Sequence, residues 1–160
     1  MRVWLLNLYR SFYLLNNKVF LTQTDTTVGF LSYDDKKLNS IKKRPNNQKI
    51  LSVVDSFYTL KQFVRVPKKF RQIIRRAKTT TFIYPNGDSF RVVNKDSNHH
   101  RFIAKYKKLY STSANETTKS FDIKFAYDNS DIIIYSNKDF KETSGSNIYK
   151  INKSYIKKIR

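Results

Sequence analysis

Short apolar runs separated by polar stretches predict several β-strands along the chain. Four runs rich in β-branched, aliphatic and aromatic residues have the length and composition of buried strands. They span residues 18–22, 50–54, 79–84 and 131–135. A turn of Pro, Asn, Gly and Asp at 85–88 predicts that residues 89–93 pair with the third of these strands as a hairpin. Residues 109–111 are predicted as one further short strand.

Apolar residues at helical spacing predict a helix over residues 67–77. Pro67 suits its first position, and an apolar stripe follows at i, i+3, i+4 and i+7. The stripe consists of Phe70, Ile73, Ile74 and Ala77. The opposite side of this helix is predicted to carry five basic residues, Lys68, Lys69, Arg71, Arg75 and Arg76.

Three further helices are predicted, and together with the strands they indicate the fold class. They cover residues 35–43, closing at Pro45, residues 55–63, capped by Asp55 or Ser56, and residues 98–108, with Phe102, Ile103 and Tyr106 facing inward. Strands that alternate with short helices favour an α/β fold. The length of 160 residues favours a single domain, since roughly 150 residues per domain is typical.

Residues 1–17 precede the regular pattern, and the domain itself is predicted over residues 18–160. The longest apolar stretch, residues 3–15, is interrupted by Asn7, Arg10 and Ser11, so it falls short of the ~20 apolar residues that a membrane span needs. No small-residue cleavage site follows, which argues against a signal peptide. We therefore expect an N-terminal extension or a docked helix and no membrane partner. A start assigned upstream of the true domain is the alternative.

Composition and charge change this picture in two ways. An aromatic share of 15% with only three glycines and three prolines excludes disordered and fibrous classes. The absence of cysteine excludes disulfides, thiolate metal sites and a cysteine nucleophile, and it fits a reducing cytoplasm. The formal net charge of +20 favours a polyanionic partner such as nucleic acid. The codon bias of an AT-rich genome explains the lysine count about equally well.

The residue types that most enzyme sites need are scarce. Gly29, Gly87 and Gly145 are too scattered for a backbone phosphate loop, so any phosphate has to be held by side chains. His99 and His100 are adjacent and point ~100° apart on a helix, which makes them a poor metal pair. We expect them at a solvated helix start. Carboxylates are few and dispersed, which disfavours a paired-carboxylate hydrolase, and no protein metal site is predicted.

Two polar segments carry candidate chemistry. Lys42-Lys43-Arg44-Pro45 is a basic cluster before a buried strand. In an extended loop Lys42 and Arg44 project to one side, which suits a polyphosphate. Residues 111–115, Ser-Thr-Ser-Ala-Asn, place hydroxyls and an amide at the C-terminal end of a strand, where open α/β sheets bind ligands. Taken alone, each segment fits a solvated loop or a polar turn better.

Six short segments taken together carry more information than any one of them. They are Thr24-Asp25-Thr26-Thr27-Val28-Gly29, Lys42-Lys43-Arg44-Pro45, Thr81-Phe82, Arg91-Val92, Ser111-Thr112-Ser113-Ala114-Asn115 and Ser146-Asn147-Ile148. In this order and spacing they resemble the YrdC-like family, the threonylcarbamoyl-AMP synthases that begin the N6-threonylcarbamoyladenosine modification of tRNA. The resemblance covers the chain from about residue 18 to the C-terminus.

The resemblance implies both a fold and a reaction. The fold is a single-domain, twisted, mixed β-sheet flanked by short helices, with a basic concave face. In the family, L-threonine, bicarbonate and ATP give threonylcarbamoyl-AMP and pyrophosphate, with Mg²⁺ expected alongside ATP. Threonine carbamate attacks the α-phosphate itself, so the lack of a protein nucleophile is no obstacle. The implied partners are the tRNA threonylcarbamoyl-transfer machinery and tRNA, in the cytoplasm.

The resemblance also implies roles for ten residues by their position in the motifs. Lys42 and Arg44 would grip the ATP phosphates and serve as the catalytic cations. The ATP site would further include Thr81, Ser113, Asn115 and Arg160. The threonine site would consist of Thr24, Arg91, Ser111 and Ser146, with Arg91 pairing with the threonine carboxylate.

The chain departs from the family's motifs at several positions. Gln23 replaces the motif proline, Val28 replaces the aromatic residue before Gly29, and Gln48 stands where the family prefers Lys or Asn. The Pro-Gly-Pro that normally precedes Thr81 is missing, and Thr117-Thr118 replaces the Ser-Gly after the Ser-x-Ser-Ala-Asn motif. These changes leave the charged grip intact but bear on threonine affinity and nucleotide geometry.

Two other functions stay open on the same fold. One is a non-catalytic module that binds double-stranded or structured RNA through the basic side of the predicted 67–77 helix, that is Lys68, Lys69, Arg71, Arg75 and Arg76. The other is a subunit that acts only within a larger assembly. The hydroxyl and amide groups at Ser113 and Asn115 favour the enzyme, because RNA binding alone does not need such groups at a strand end.

Overall fold

The computed structural model describes residues 15–135 and 139–160. Within them the chain forms nine strands. They are β1 Phe20–Gln23, β2 Val28–Ser32, β3 Leu51–Val54, β4 Thr80–Ile83, β5 Ser89–Val92, β6 Lys108–Ser113, β7 Ile132–Ile134, β8 Asn147–Ile151 and β9 Ile156–Lys158. All nine belong to one sheet, in the order β7-β1-β2-β6-β3-β5-β4-β8-β9.

Short helices connect the strands in the described residues. They are α1 Asp35–Ile41, α2 Phe57–Phe63, a 3₁₀ turn Lys68–Phe70, α3 Arg71–Arg76, α4 Asn98–Tyr106 and α5 Ile123–Asp128. Side-chain oxygens of Asp34, Ser56 and Ser97 accept hydrogen bonds from the first-turn amides of α1, α2 and α4, which fixes where these helices begin. None of the described helices is long and apolar enough to span a membrane.

The sheet is mixed. Three neighbouring pairs run parallel, β1 with β7, β3 with β5 and β4 with β8. The remaining pairs are antiparallel. This is the mixed α/β sheet with short helices that the sequence predicts, and that prediction is confirmed.

Side chains alternate between the two faces of each strand, and the two faces are covered differently. One face packs against α1, α2, α3 and α5 through the buried side chains Leu38, Leu60, Ile74 and Ala126. The other face, which we call the α4 face, packs against Ile103 of α4. Because one helix covers only part of the α4 face, the rest of it is free to form a site.

The predicted strands are confirmed with small shifts at their ends, and the 85–88 turn joins β4 and β5 as an antiparallel hairpin. Four elements were not predicted: β2, β8, β9 and α5. The miss at β2 matters most, because β2 lies inside the sheet between β1 and β6. Its residues follow directly on the polar motif at 24–27, and the motif's glycine is the second residue of the strand.

The predicted 67–77 helix is wrong in its geometry. Pro67 precedes the helical segment, which is a 3₁₀ turn followed by the single short helix α3. A 3₁₀ turn has about 3.0 residues per turn rather than 3.6, so the residues after it are rotated out of the expected stripe. Phe70 and Ile74 are buried, whereas Ile73 is 51% exposed.

The basic cluster at 42–45 is not an extended loop. Lys42 ends α1 as its C-cap, and Lys43 has a φ of 51° in the left-handed region. The backbone amide of Arg44 then donates to the carbonyl oxygen of Asn39. The chain therefore turns tightly here, and Lys42 and Arg44 do not project as alternate residues of a strand. The predicted N-terminal helix falls mostly on residues 1–14, which lie outside the described residues.

Candidate functional site

A cavity of about 280 Å³ opens on the α4 face of the sheet. Residues from six separate stretches of the chain line it: the turn between β1 and β2 together with the start of β2, the start of β3, β5, the end of β6 with the residues after it, the segment before β8, and Arg160. They are Thr24, Thr26, Thr27, Gly29, Leu51, Arg91, Ser111, Thr112, Ser113, Asn115, Glu142, Thr143, Gly145, Ser146 and Arg160.

Strand register brings the hydroxyls of the Ser-x-Ser motif to this cavity. Ser111 and Ser113 are two residues apart on β6, so both point to the same face. Ser113 lies opposite Gly29 of β2, and Ser111 lies opposite Leu51 of β3. On β5, Arg91 lies opposite Val53 of β3, a core residue of the α4 face. Alternation on three strands thus places these three polar side chains together.

Gly29 is required by this close packing. A Cβ at this position would come within 2.9 Å of the carbonyl oxygen of Thr112 and 3.1 Å of the Thr24 methyl group. The first contact is with backbone, which cannot move away without disturbing the β2–β6 pairing. The motif glycine is therefore what lets the turn at 24–27 approach the strand that carries the serines.

The Thr24 hydroxyl holds the turn between β1 and β2 together. It donates to the carbonyl oxygen of Thr27 at 2.6 Å and accepts from the backbone amides of Thr26 and Thr27, each at 3.2 Å. This is the local hydrogen bonding by which a threonine side chain stabilises a turn. Thr24 lines the cavity, but its hydroxyl is already engaged.

Arg91 reaches the cavity as a buried cation with internal partners. Its side chain is 3% exposed, and Nη2 lies 3.2 Å from Oδ1 of Asp25, whose side chain is also 3% exposed. Nη1 donates to the hydroxyl of Thr26 at 3.0 Å, and Nε has no partner among the described atoms. Burial lowers the pKa of Arg91, and the Asp25 carboxylate opposes that shift. Arginine side chains keep their charge in proteins.

The prediction that His99 lies at a solvated helix start is wrong. Its side chain is 1% exposed, with Nδ1 3.3 Å from Oδ1 of Asp25. Burial lowers the pKa of the His99 imidazole below its ordinary value of 6.5, and Asp25 opposes this only in part. Burial alone raises the pKa of Asp25, but the hydrogen bond from His99 and the charge of Arg91 bring it below the ordinary 3.8. Of the two histidines, only His100 is partly exposed.

The far wall of the cavity is formed around Ser146. Its hydroxyl shares a 2.8 Å hydrogen bond with the hydroxyl of Thr81, which the parallel pairing of β4 with β8 brings alongside. Its carbonyl oxygen accepts from both Nε and Nη2 of Arg160, at 3.2 and 3.0 Å. Thr81 is buried behind Ser146 and does not line the cavity, whereas Arg160 does.

Lys42 lies beneath the end of β6 rather than on the cavity wall. It is 2% exposed, and its ammonium group donates to the carbonyl oxygen of Ser113 at 3.2 Å, to Oδ1 of Asn115 at 2.9 Å and to the carbonyl oxygen of Asn115. Burial, and after it the charge of Arg44, lower the pKa of Lys42 to about 8, with Glu116 opposing. Lys42 is therefore mostly protonated at neutral pH and anchors the two polar residues Ser113 and Asn115.

Of the ten residues assigned by the motifs, seven line the cavity: Thr24, Arg91, Ser111, Ser113, Asn115, Ser146 and Arg160. From behind the cavity wall, Lys42 contacts two of those seven, Ser113 and Asn115, and Thr81 contacts Ser146. Arg44 does not line the cavity, and no contact of its side chain with a lining residue is described. Sequence reasoning assigned no site role to several other residues that build or line the site, among them Asp25, Thr26, His99, Glu142 and Thr143.

A strap of residues 141–146 closes one side of the cavity, and Gln23 holds it. The Gln23 side chain accepts from the Lys141 amide at 2.9 Å and donates to the Lys141 carbonyl oxygen at 3.3 Å. The hydroxyl of Thr27 accepts from the amide of Thr143 at 3.3 Å. Proline at position 23 has no side-chain hydrogen bond to give, so this departure from the family motif supplies an anchor of its own.

The five predicted RNA-binding cations are all exposed, and four of them line two different grooves. Arg75 and Arg76 border a groove of about 780 Å³, the Tyr58 groove, whose other lining residues include Phe57, Tyr58, Lys61, Lys78 and Lys95. Lys68 and Arg71 border a second groove of about 450 Å³, beside Pro67 and Lys153. Lys69 donates to the carbonyl oxygen of Ser154. The break between the 3₁₀ turn and α3 separates residues that one continuous helix was expected to align.

Comparisons with solved structures identify the fold. The chain matches P. abyssi Sua5, in a crystal structure complexed with L-threonine, at 17% identity and a TM-score of 0.71, over 89% of this chain and 50% of Sua5. It matches E. coli YciO at 13% identity and a TM-score of 0.71, over 94% of this chain and 86% of YciO. It matches full-length HypF, in a phosphate- and nucleotide-bound form, at 14% identity and a TM-score of 0.68, over 94% of this chain and 28% of HypF.

No protein-family model and no curated protein sequence matches the chain. The three structural matches span nearly the whole of this chain but only half of Sua5 and a smaller part of HypF. At identities of 13–17% the agreement concerns the fold. The mixed nine-stranded sheet with short helices is thus the fold of YrdC-like domains.

Proposed function

We propose that this protein is a threonylcarbamoyl-AMP synthase, which forms threonylcarbamoyl-AMP and pyrophosphate from L-threonine, bicarbonate and ATP. The observation that carries the proposal is the convergence of seven motif residues on one cavity from distant parts of the chain. Two proteins of the same fold support it, since Sua5 was solved with L-threonine and HypF with phosphate and nucleotide.

The proposed reaction needs no protein nucleophile. The amine of threonine and bicarbonate form a carbamate with loss of water. A carbamate oxygen then attacks the α-phosphorus of ATP, the bond from that phosphorus to the bridging oxygen breaks, and pyrophosphate leaves. The protein has to hold two anions close together and stabilise the charge that develops on the phosphate.

In the cavity Arg91 and Ser111 form the threonine subsite. Arg91 has five N–H donors, of which Asp25 and Thr26 take two, so donors remain for the threonine carboxylate. The Ser111 hydroxyl, with no hydrogen bond described, serves the same ligand. Thr24 shapes the wall, because its hydroxyl is engaged in the turn, and Ser146 closes the far side.

The nucleotide extends from the open end of the cavity. A volume of about 280 Å³ is near the lower limit of ~300–1,000 Å³ for small-molecule pockets, so the cavity fits an amino acid but not ATP as well. Ser113 and Asn115 lie at its rim, and Lys42 lies directly beneath them. The triphosphate therefore lies over Ser113 and Asn115, with Lys42 and Arg44 as its cations and Arg160 on the opposite side.

Mg²⁺ enters this proposal with ATP rather than as a resident ion. Among residues 15–135 and 139–160, Glu142 is the one carboxylate that lines the cavity, and its Oε2 accepts from the amide of Phe121 at 3.2 Å. No group of three His, Asp or Glu side chains stands together in the described part of the chain. This donor set fits Mg²⁺ held mainly by nucleotide phosphates and water.

The direct test is to incubate the purified protein with ATP, Mg²⁺, L-threonine and bicarbonate and to detect threonylcarbamoyl-AMP by mass spectrometry. ¹³C-bicarbonate is expected to add one mass unit to the product, and omission of any one substrate to abolish it. Absence of product from the protein, when a fold relative of known activity gives it under the same conditions, would contradict the proposal. Product that carries no label would do so as well.

RNA binding is a second candidate function, favoured by the Tyr58 groove. Five cations there stand beside two aromatic rings, namely Lys61, Arg75, Arg76, Lys78 and Lys95. Tyr58 is 70% exposed, and the Arg75 guanidinium lies 4.6 Å from the centre of the Phe57 ring. Cations that neutralise phosphates, with rings on which bases stack, are a common basis of RNA binding. We propose this activity as separable from the cavity, because the groove and the cavity share no lining residue.

A further inference from the structure

Asp25, Arg91 and His99 form a buried cluster at the floor of the cavity, contributed by three separate elements. Asp25 comes from the turn between β1 and β2, Arg91 from β5 and His99 from the first turn of α4. Their side chains are 3%, 3% and 1% exposed. Ionisable groups are seldom buried unless they are paired, and here only Arg91 borders the cavity.

The two basic side chains hold the same oxygen atom. Nη2 of Arg91 lies 3.2 Å from Oδ1 of Asp25, and Nδ1 of His99 lies 3.3 Å from that same Oδ1. Oδ2 of Asp25 has no partner in the part of the chain described. The orientation of the carboxylate therefore depends on His99 as well as on Arg91, and without His99 one of the two side chains that hold Oδ1 is lost.

The plane of the Arg91 guanidinium is set by the partners it has inside the protein. Asp25 holds Nη2 and the Thr26 hydroxyl holds Nη1 at 3.0 Å. Nε is buried, with no partner described. A carboxylate bound by two parallel hydrogen bonds requires a guanidinium whose plane is fixed. Asp25 also neutralises Arg91, so the floor of the cavity offers donors with no net charge, which suits a single carboxylate better than a polyanion.

We propose that His99 is a positioning residue, which through Asp25 orients the Arg91 guanidinium to receive the carboxylate of a small amino acid. The identity of that amino acid as L-threonine rests on the proposed function. The orienting chain from His99 to Arg91 rests on the buried cluster alone.

The charge state of His99 matters because a second cation would compete for the shared oxygen. The charged or titratable groups that act on it are Asp25 from the turn, Arg91 from β5 and His100 from its own helix. In the neutral tautomer that holds Oδ1, Nδ1 carries the proton and donates to it, and Nε2 is unprotonated and buried with no partner described. Protonation of Nε2 makes His99 a second cation on Oδ1, which competes with Arg91 for that oxygen. Acid is therefore expected to weaken carboxylate binding.

Three variants test the proposal by calorimetric titration with L-threonine. His99→Phe keeps a ring but removes the contact with Asp25, and we expect its dissociation constant to rise about tenfold, which corresponds to ~1.4 kcal/mol. His99→Asn keeps an amide near the position of Nδ1, and it is expected to stay within about threefold of the wild type. His100→Asn is the matched control, because that neighbour contacts the carbonyl oxygen of Asp55 and not the cluster. Wild-type affinity in His99→Phe, or an equal loss in His100→Asn, would overturn the proposal.

A readout without ligand separates this inference from the proposed function. Exchange of the Arg91 Nε proton with water, followed by NMR, is expected to be slow in the wild type and in His99→Asn and at least tenfold faster in His99→Phe. Slow exchange in a wild type that binds no threonine would refute the proposed ligand and keep the orienting role. Equal exchange in all variants would refute the role. If His99→Phe does not fold, the wild type decides: a carboxylate ligand must shift the titration of the His99 ring, and no shift at His99 refutes the proposal.

Discussion

The cations of this protein are held in two contrasting ways. Around the cavity, Arg91 and Lys42 are almost fully buried, and each is fixed by oxygen atoms of the protein itself. Around the Tyr58 groove, Arg75, Arg76 and Lys78 are exposed, and none of the salt bridges found in the described residues involves them. The first group has a defined geometry before any ligand arrives, and the second has only charge and proximity.

This difference determines what each region is able to recognise. A buried, paired cation cannot leave its partners without a large cost, so it presents its remaining donors in one orientation and selects ligands by shape. An exposed cation is screened by salt and adopts many rotamers, so it attracts the phosphates of a nucleic acid whatever its base sequence. The net charge of the chain does not distinguish these two groups of cations, because it predicts binding of polyanions for both.

The largest expected effect follows from substitution of Lys42, the buried cation that contrasts most with the exposed cations of the Tyr58 groove. Lys42→Met removes the ammonium group under Ser113 and Asn115, and we expect formation of threonylcarbamoyl-AMP to fall ~100-fold or more. The free energy of unfolding is expected to drop by ~1–3 kcal/mol, because carbonyl oxygens lose their donor. Product formation by mass spectrometry and urea denaturation give the two values.

The neighbouring Lys43 is the matched control for this prediction. Its side chain is 79% exposed and contacts Glu116, so Lys43→Met is expected to leave both quantities unchanged. Arg44→Ala is expected to lower turnover strongly and stability little, since no structural contact of its side chain is described. Near-normal turnover in both Lys42→Met and Arg44→Ala would mean that the basic turn is a surface feature with no part in catalysis.

A second prediction concerns the amino-acid subsite. Arg91→Lys keeps the charge beside Asp25 but removes the planar pair of donors. The KM for threonine is therefore expected to rise ~10–100-fold, and the KM for ATP much less. Steady-state kinetics with each substrate varied in turn measure the two constants, with exposed Arg101→Lys as the control. A larger effect on ATP than on threonine would assign Arg91 to the nucleotide.

Local sequence patterns predicted most of the sheet because its strands are short, apolar and punctuated by clear turns. The 85–88 turn, for example, fixed the β4–β5 hairpin. The apolar pattern gave a wrong prediction where one type of helix is followed by another within the same segment. The stripe that included Ile73 assumes an unbroken α-helix, and a 3₁₀ turn of three residues, 68–70, was enough to turn Ile73 outward.

The candidate site was predictable only where a motif names its residues. Asp25 is polar and sits in a polar loop, and nothing near it in sequence indicates burial, because its partner Arg91 is 66 residues away. The same holds for Gln23 and the strap at Lys141. His99 did carry a signal. It precedes Phe102, Ile103 and Tyr106 at the i, i+3, i+4 and i+7 spacing of an inward face, so its burial could have been read from the sequence.

A third prediction tests the exposed cations as a group. Reversal of three of them, Lys69→Glu, Arg71→Glu and Arg76→Glu, is expected to weaken binding of structured RNA ~10-fold or more at low salt, while threonylcarbamoyl-AMP formation persists. The wild type is expected to lose affinity steeply between low and moderate salt, with a shallower slope in the triple variant, and unrelated structured RNAs to compete about equally. Gel-shift titrations at several salt concentrations measure this.

The control for this prediction has the same change in charge at another place. Lys36, Lys105 and Lys124 are exposed on α1, α4 and α5, so their reversal lowers the net charge equally without touching the 68–76 segment. An equal loss of RNA binding in both triple variants would show that total charge, and not this surface, attracts RNA. A flat salt response in the wild type would leave codon bias as the better explanation of the lysines.

The smallest expected effect is the pH dependence of stability, which belongs to the buried cluster and not to the grooves. Because burial holds the pKa of His99 below its ordinary 6.5, the unfolded chain binds a proton that the folded protein does not as the pH falls below about 6.5. The free energy of unfolding is therefore expected to decrease with falling pH in this range, by at most ~1.4 kcal/mol per pH unit for one proton. The lowered pKa of Asp25 adds a second loss of stability only below about pH 4.

Urea denaturation of the wild type and His99→Asn between pH 7.5 and 5 measures the difference in slope. His99→Asn has no proton to take up there and is expected to give the flatter curve. Parallel curves for the wild type and His99→Asn would place the acid-sensitive group elsewhere in the chain.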